Sequence, residues 1–219
     1  MKKMIAMLLV AVMAMSLVAC AAAGDDTTTG ATTTPAQTTG SSTETTGDAS
    51  TETTGEEIVI ELPEANAATA VLRAAWDKYA EDQKFYAVGG DYDNMVDGAA
   101  GNVPVDSGFL ADKLIMPADQ MANLAEAGSL LHGMNANNFT CGAFKLVEGA
   151  DETAFVTAMQ TAIQNNQWVC GFPELLLVMK VEGVILVAFG HSDIVPTFQT
   201  NVTNAFAGAE VLVNETIGG

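Results

Sequence analysis

From Gly24 to Glu57 the chain carries no aromatic residue, no Val, Leu or Ile, and no Lys or Arg; Thr, Gly, Ser, Ala and acidic residues alternate instead. Such a stretch cannot build an apolar face, so it reads as a tether, and any hydrophobic core must come from the residues after it. Random-coil scaling gives roughly 34 such residues an average span of about 30 Å, which self-repulsion among Asp25, Asp26, Glu44, Asp48 and Glu52 lengthens. About 160 residues remain, enough for one ordinary domain and short of two.

Ahead of the tether, Lys2 and Lys3 give a basic start, Met4 to Val18 run almost wholly apolar, and Leu17, Val18 and Ala19 lead into Cys20. An apolar run of about sixteen residues falls short of the roughly twenty that span a bilayer, and polar sequence follows at once, so export is expected. The order basic, apolar, small, Cys resembles the bacterial lipoprotein signal. That resemblance implies cleavage between Ala19 and Cys20, a diacylglyceryl thioether on Cys20, and a place on the outer face of the cytoplasmic membrane. Two acyl chains anchor stably where one is marginal, at about 0.8 kcal/mol per buried methylene. The expected division is a leader over 1–20, a tether over 21–57 and a single α+β domain over 58–219.

The formal charge of -19 moves two units further, to -21, when Lys2 and Lys3 leave with the leader. No Lys or Arg cluster exists to neutralise phosphates, which excludes nucleic acid and anionic headgroups as partners. Solubility accounts for the acidity better than acid-mediated binding of cations or basic peptides does.

Within the domain, Glu57 to Leu62 reads as a brief extended segment ended by Pro63. Ala68, Val71, Leu72, Ala75, Trp76 and Tyr79 recur at helical spacing, which predicts an amphipathic helix over 66–82. Phe85 to Val88 suits a short strand, and the following Gly, Asp and Asn residues make a loop through Asn102. That loop fails as an EF-hand, since counting from Asp91 the sixth position is Val96 and the twelfth Asn102. Pro117 is expected to open a helix through Met121, Leu124 and Ala125 that closes near Gly128.

From Phe139 onward the expected order is strand, helix, strand, strand, helix, strand. Phe139 to Val147 is the first strand, and Asp151 caps a helix buried through Phe155, Met159, Ala162 and Ile163. Glu174 to Val181 and Val184 to Phe189 form a hairpin turned by Glu182 and Gly183. Ser192 or Asp193 caps a last helix through Ile194, Phe198, Val202 and Phe206, and Glu210 to Asn214 is the last strand. A βαββαβ core over 139–214 predicts the ferredoxin-like arrangement, with an antiparallel sheet, both helices on one face and the N-terminal helices on the other.

The tether behind a lipobox, followed by Phe139 to Phe206 with its Gln167-Trp168 to Pro173-Glu174 passage, resembles Clostridia-type bacterial lipoproteins whose C-terminal domain has no assigned function. The resemblance implies a lipid anchor and an α+β domain over about 68–206, and it supplies no catalytic residue.

Candidate chemistry is sparse. His191, Ser192 and Asp193 have the residue types of a serine hydrolase, but neighbours in sequence do not line up as nucleophile, base and orienter, so a helix cap is favoured. His132 stands alone, and no zinc ligand set accompanies either histidine. Cys141 and Cys170 are a candidate disulfide in an oxidising compartment, with buried free thiols as the equal alternative. Trp168, Phe172 and Pro173 read as core closure ahead of an exposed contact patch, and Met116, Met121, Met134, Met159 and Met179 as core filling. No catalytic residue, metal site or cofactor is assigned. The expectation is a membrane-anchored, extracytoplasmic, non-enzymatic accessory or binding module with an envelope protein as partner. A small hydrolase using Asp193, His191 or loop carboxylates, and a solute-binding lipoprotein, are the alternatives.

Overall fold

The hairpin of β6 (Leu175–Val181) and β7 (Val184–Gly190) forms because every residue of β7, and most of β6, is apolar and buried. Glu182 (φ 49°) and Gly183 (φ 81°) turn it, both in the left-handed region that a two-residue type I′ turn demands. The computed structural model describes residues 61–218; the leader, Ala19, Cys20, the tether and most of the Glu57–Leu62 segment lie outside them.

Around this hairpin runs one antiparallel sheet of eight strands. The others are β1 (Ala87–Gly89), β2 (Val96–Asp97), β3 (Gly101–Val103), β4 (Leu124–His132), β5 (Phe139–Leu146) and β8 (Glu210–Thr216). Their order is β2-β1-β4-β5-β7-β6-β8, with β3 also paired to β4. β1 and β3 share one side of β4, β1 opposite Leu130 to His132 and β3 opposite Ala127 to Ser129. At the far edge, β8 carries a bulge opposite Val178 and Met179, and Glu210 and Glu215 sit near its ends. Both features discourage another strand from adding there.

Strand alternation sorts the core into two layers. Phe139, Cys141, Leu177, Met179, Leu186 and Ala188 face α1 (Ala67–Trp76) and α4 (Val195–Ala205). Phe144, Leu176, Val178, Ile185, Val187 and Phe189 face α2 (Phe109–Asp112) and α3 (Glu152–Gln164). The fold is α+β, with helices on both faces of the sheet.

The ferredoxin-like arrangement is not what forms. It would set β8 beside β5 and both crossover helices on one face; instead β8 pairs with β6, and α3 and α4 lie on opposite faces. The cause is geometric. The crossovers β5-α3-β6 and β7-α4-β8 both step the same way across the sheet, yet they leave from antiparallel strands. Two crossovers of the same hand can satisfy that only with helices on opposite sides.

Two N-terminal expectations also change. The first helix starts where expected, with the Asn66 side chain accepting from Thr69 N–H at 2.8 Å, but it stops at Trp76. Tyr79 stays buried through a turn, its ring 4.7 Å from Trp76 and 6.2 Å from Phe85. The segment after Pro117 is a 3-10 turn over Ala118–Asn123, and Leu124 to His132 is the strand β4. Ala and Leu favour helix locally, but pairing with β5 on one side and β1 and β3 on the other overrides that preference. Gly128, which the sequence offers as a helix stop, is a strand glycine where α1 comes close: a Cβ there would lie 3.1 Å from the Thr69 backbone.

Candidate functional site

His191, Ser192 and Asp193 occupy the turn between β7 and α4, as expected, without forming a hydrolytic set. The Ser192 hydroxyl donates to the Glu174 carboxylate, and the Ser192 N–H donates to the same oxygen at 2.9 Å. These bonds hold the Glu174 carboxyl below its ordinary pKa. A hydroxyl committed to a carboxylate has no histidine to take its proton. Nor does Ser192 or Asp193 cap α4: Ile194 is the N-cap, with no side-chain bond, and Pro196 fills the first turn.

His132 ends β4, its ring stacked on Phe85 at 5.1 Å and 12°, and its Nδ1 accepts from the Met134 N–H at 3.2 Å. Burial, with a smaller push from His191, lowers its pKa. The unfolded chain therefore binds this proton more readily than the folded one does. The stabilising term is full above about pH 6.5 and is lost as pH falls toward the folded pKa. Thermal melts should show stability falling just below that pH, and His132→Gln should flatten the slope; an unchanged slope would assign it elsewhere. Among the described residues, no group of three or more His, Cys, Asp or Glu is placed to hold a metal ion.

Cys141 and Cys170 are not bridged. Cys141 is fully buried on β5, facing α1 and α4, whereas Cys170 is exposed in the loop after α3, a helix of the opposite layer. Burial pushes the Cys141 thiol far up, where it is an inert core group. Alkylation of native protein without reductant should mark Cys170 and spare Cys141 until denaturant is added. Labelling of neither thiol would restore the disulfide.

The exposed apolar side chains concentrate at one end of the sheet. Three loops meet there, over 90–95, 133–138 and 167–172. Asp91 builds the first, accepting from Asn94 N–H at 3.0 Å, Asn94 Nδ2 at 3.1 Å and Ser107 Oγ at 3.0 Å. Those donors keep the carboxyl ionised, below its ordinary pKa despite burial. The second and third loops are tied by Asn135 Nδ2 to Cys170 O at 3.3 Å and by Asn137 Nδ2 to Val169 O at 2.9 Å and Gly171 O at 3.2 Å.

On this braced frame Met134 is 78% exposed, Val169 74%, Met95 72% and Phe172 71%, with Tyr92 and Tyr86 more than half exposed. Hydrogen bonds hold these loops while their apolar tips face water. Between the first two loops a groove of about 380 Å³ runs over Val88, Gly89 and Leu131, walled by Tyr92, Met95, Phe109 and Met134. Tyr92 is held edge-on to Phe109 at 5.1 Å, with its hydroxyl 3.4 Å from Asp112.

Two expectations are corrected here. Met116, Met159 and Met179 are core filling, but Met134 is not. Of the aromatic passage, Trp168 closes the core against Phe189 at 5.2 Å and Pro173 is buried, while Phe172 points to solvent. The sequence signal is slight: Met95 follows Asp93-Asn94, and Met134 sits between Gly133 and Asn135, so each adjoins turn formers. Of the described helices, none is long and apolar enough to cross a membrane. No protein-family model, no curated protein and no solved structure matches this chain.

Proposed function

We propose that this protein is a non-enzymatic binding module, held at the outer face of the cytoplasmic membrane by lipid on Cys20, whose three-loop end docks an envelope protein. The anchor follows from the leader ending in Ala19-Cys20, and the tether gives the domain reach. One observation supports the docking role above others: Met95, Met134, Val169 and Phe172 stand exposed on loops that hydrogen bonds hold in place. Polarizable, unbranched methionine suits a surface that adapts to a partner. A serine hydrolase draws no support from Ser192, whose hydroxyl is given to Glu174; the hydrolase alternative resting on Asp193, His191 or loop carboxylates is not touched by that bond.

The test joins anchor and surface. Wild type should fractionate with membranes and Cys20→Ser should be released. In crosslinked cells one discrete adduct should form with wild type and be lost in the Met95→Gln, Met134→Gln double variant. An adduct indifferent to both substitutions would defeat the docking role, and membrane retention of Cys20→Ser would defeat the anchor.

A further inference from the structure

We infer that the groove between Tyr92, Met95 and Met134 takes a short apolar protein segment flanked by basic residues; this rests on the docking role proposed above and specifies its partner's chemistry. The walls set the apolar part. Val88, Gly89 and Leu131 form the floor, and Tyr92, Phe109, Met95 and Met134 stand around it. At about 380 Å³ the groove is near the lower end of the ~300–1,000 Å³ range of ligand pockets. A groove of this volume holds a few apolar side chains of a docked segment rather than a whole element.

Charge sets the flanks. Asp91 lies in the groove wall and is held ionised by its hydrogen bonds. Asp93 is exposed on the same loop, Asp112 meets the Tyr92 hydroxyl, and Asp97 lies beside Tyr86, whose phenol pKa it raises. Only Asp91 of these four is in the groove lining, where Lys113 is the one Lys or Arg; Asp93, Asp97 and Asp112 lie around it and make the rim acidic. The same balance disfavours other occupants: a second copy, also strongly acidic, brings like charge, and anionic lipid is repelled. A cationic flank gains from the Asp rim both in encounter rate and in specificity.

The experiment uses the full-length chain in phosphatidylcholine nanodiscs, with empty discs as blank. The probes are two end-blocked synthetic peptides, Lys-Leu-Phe-Leu-Lys and Glu-Leu-Phe-Leu-Glu. The lysine peptide should bind saturably and about tenfold or more tighter than its glutamate counterpart, with affinity falling as salt rises. The Met95→Gln, Met134→Gln pair, both on the surface and harmless to folding, should weaken it about tenfold. Asp93→Asn with Asp112→Asn should narrow the gap between the peptides and reduce the salt dependence. Equal binding of both peptides that still depends on the methionines would overturn the charge assignment and leave the docking surface standing. Binding untouched by the methionine substitutions, or a dimer that those substitutions abolish, would overturn the groove assignment itself.

Discussion

Phe139→Ala should cost about 3–5 kcal/mol of folding stability, the range for truncating a fully buried phenylalanine. Phe139 opens β5, is fully buried, and lies 5.3 Å from Phe85 and 5.1 Å from Phe198. It therefore joins the segment leading into β1 to helix α4 across the central strands. Removing the ring leaves a cavity that two separate elements would have to fill, and neither is free to move, because Phe85 stacks on His132 and α4 is packed against the sheet. Against a total of about 5–15 kcal/mol for an ordinary domain, such a loss unfolds a large fraction of molecules at moderate denaturant. Urea melts of both proteins check it. A loss below about 1 kcal/mol would mean that this layer is not packed as described.

Gly128→Leu should separate α1 from the sheet. A side chain at this position of β4 runs into the Thr69 hydroxyl and, at 3.1 Å, into the Thr69 backbone N and Cα. Thr69 is itself completely buried in the first turn of α1, so the helix has to shift as a body. Overpacking of this kind costs about 1–3 kcal/mol, and the backbone contact puts this case at the upper end. Hydrogen exchange gives the sharper reading. Amides of Ala67 to Trp76 should lose protection before those of β6 and β7; uniform loss would show that the damage is not confined to the α1 contact. The milder Gly128→Ala should fall between wild type and the leucine variant.

These sites show what the sequence made legible. The β6–β7 hairpin was readable because its apolar runs flank Glu182-Gly183, where both residues adopt the positive φ of a tight turn. The stripes of α3 and α4 were readable for the same local reason, since Phe155 and Met159, or Phe198 and Val202, share a helical face. β4 was hidden because Leu124 to His132 is rich in Ala and Leu, and only its partners on both sides make it a strand. Placement of β8 was hidden as well: element order cannot say at which edge a last strand docks, and that choice sends α4 to the opposite face.

The proposed docking surface was the least legible part. Composition does not distinguish an exposed methionine from a buried one, so Met134 looked like Met159 until the loops were placed. The bracing that gives the surface its shape joins Asn135 to Cys170 and Asn137 to Val169, residues more than thirty positions apart. His132, which lines the groove, supports the loop through its bond from Met134 N–H, and His191 anchors the next turn through its N–H to Asn138 O at 2.9 Å.

The most direct test of the three-loop end as the working surface is site-specific photocrosslinking of the full-length protein in living cells. A photoreactive side chain at Met95 or Met134 is compared with one at Val147 or Val211, which are also exposed but lie on other parts of the domain. A discrete adduct should form from Met95 and Met134 and be absent from Val147 and Val211. Adducts of equal yield from all four positions, or only from Val147 and Val211, would contradict the assignment.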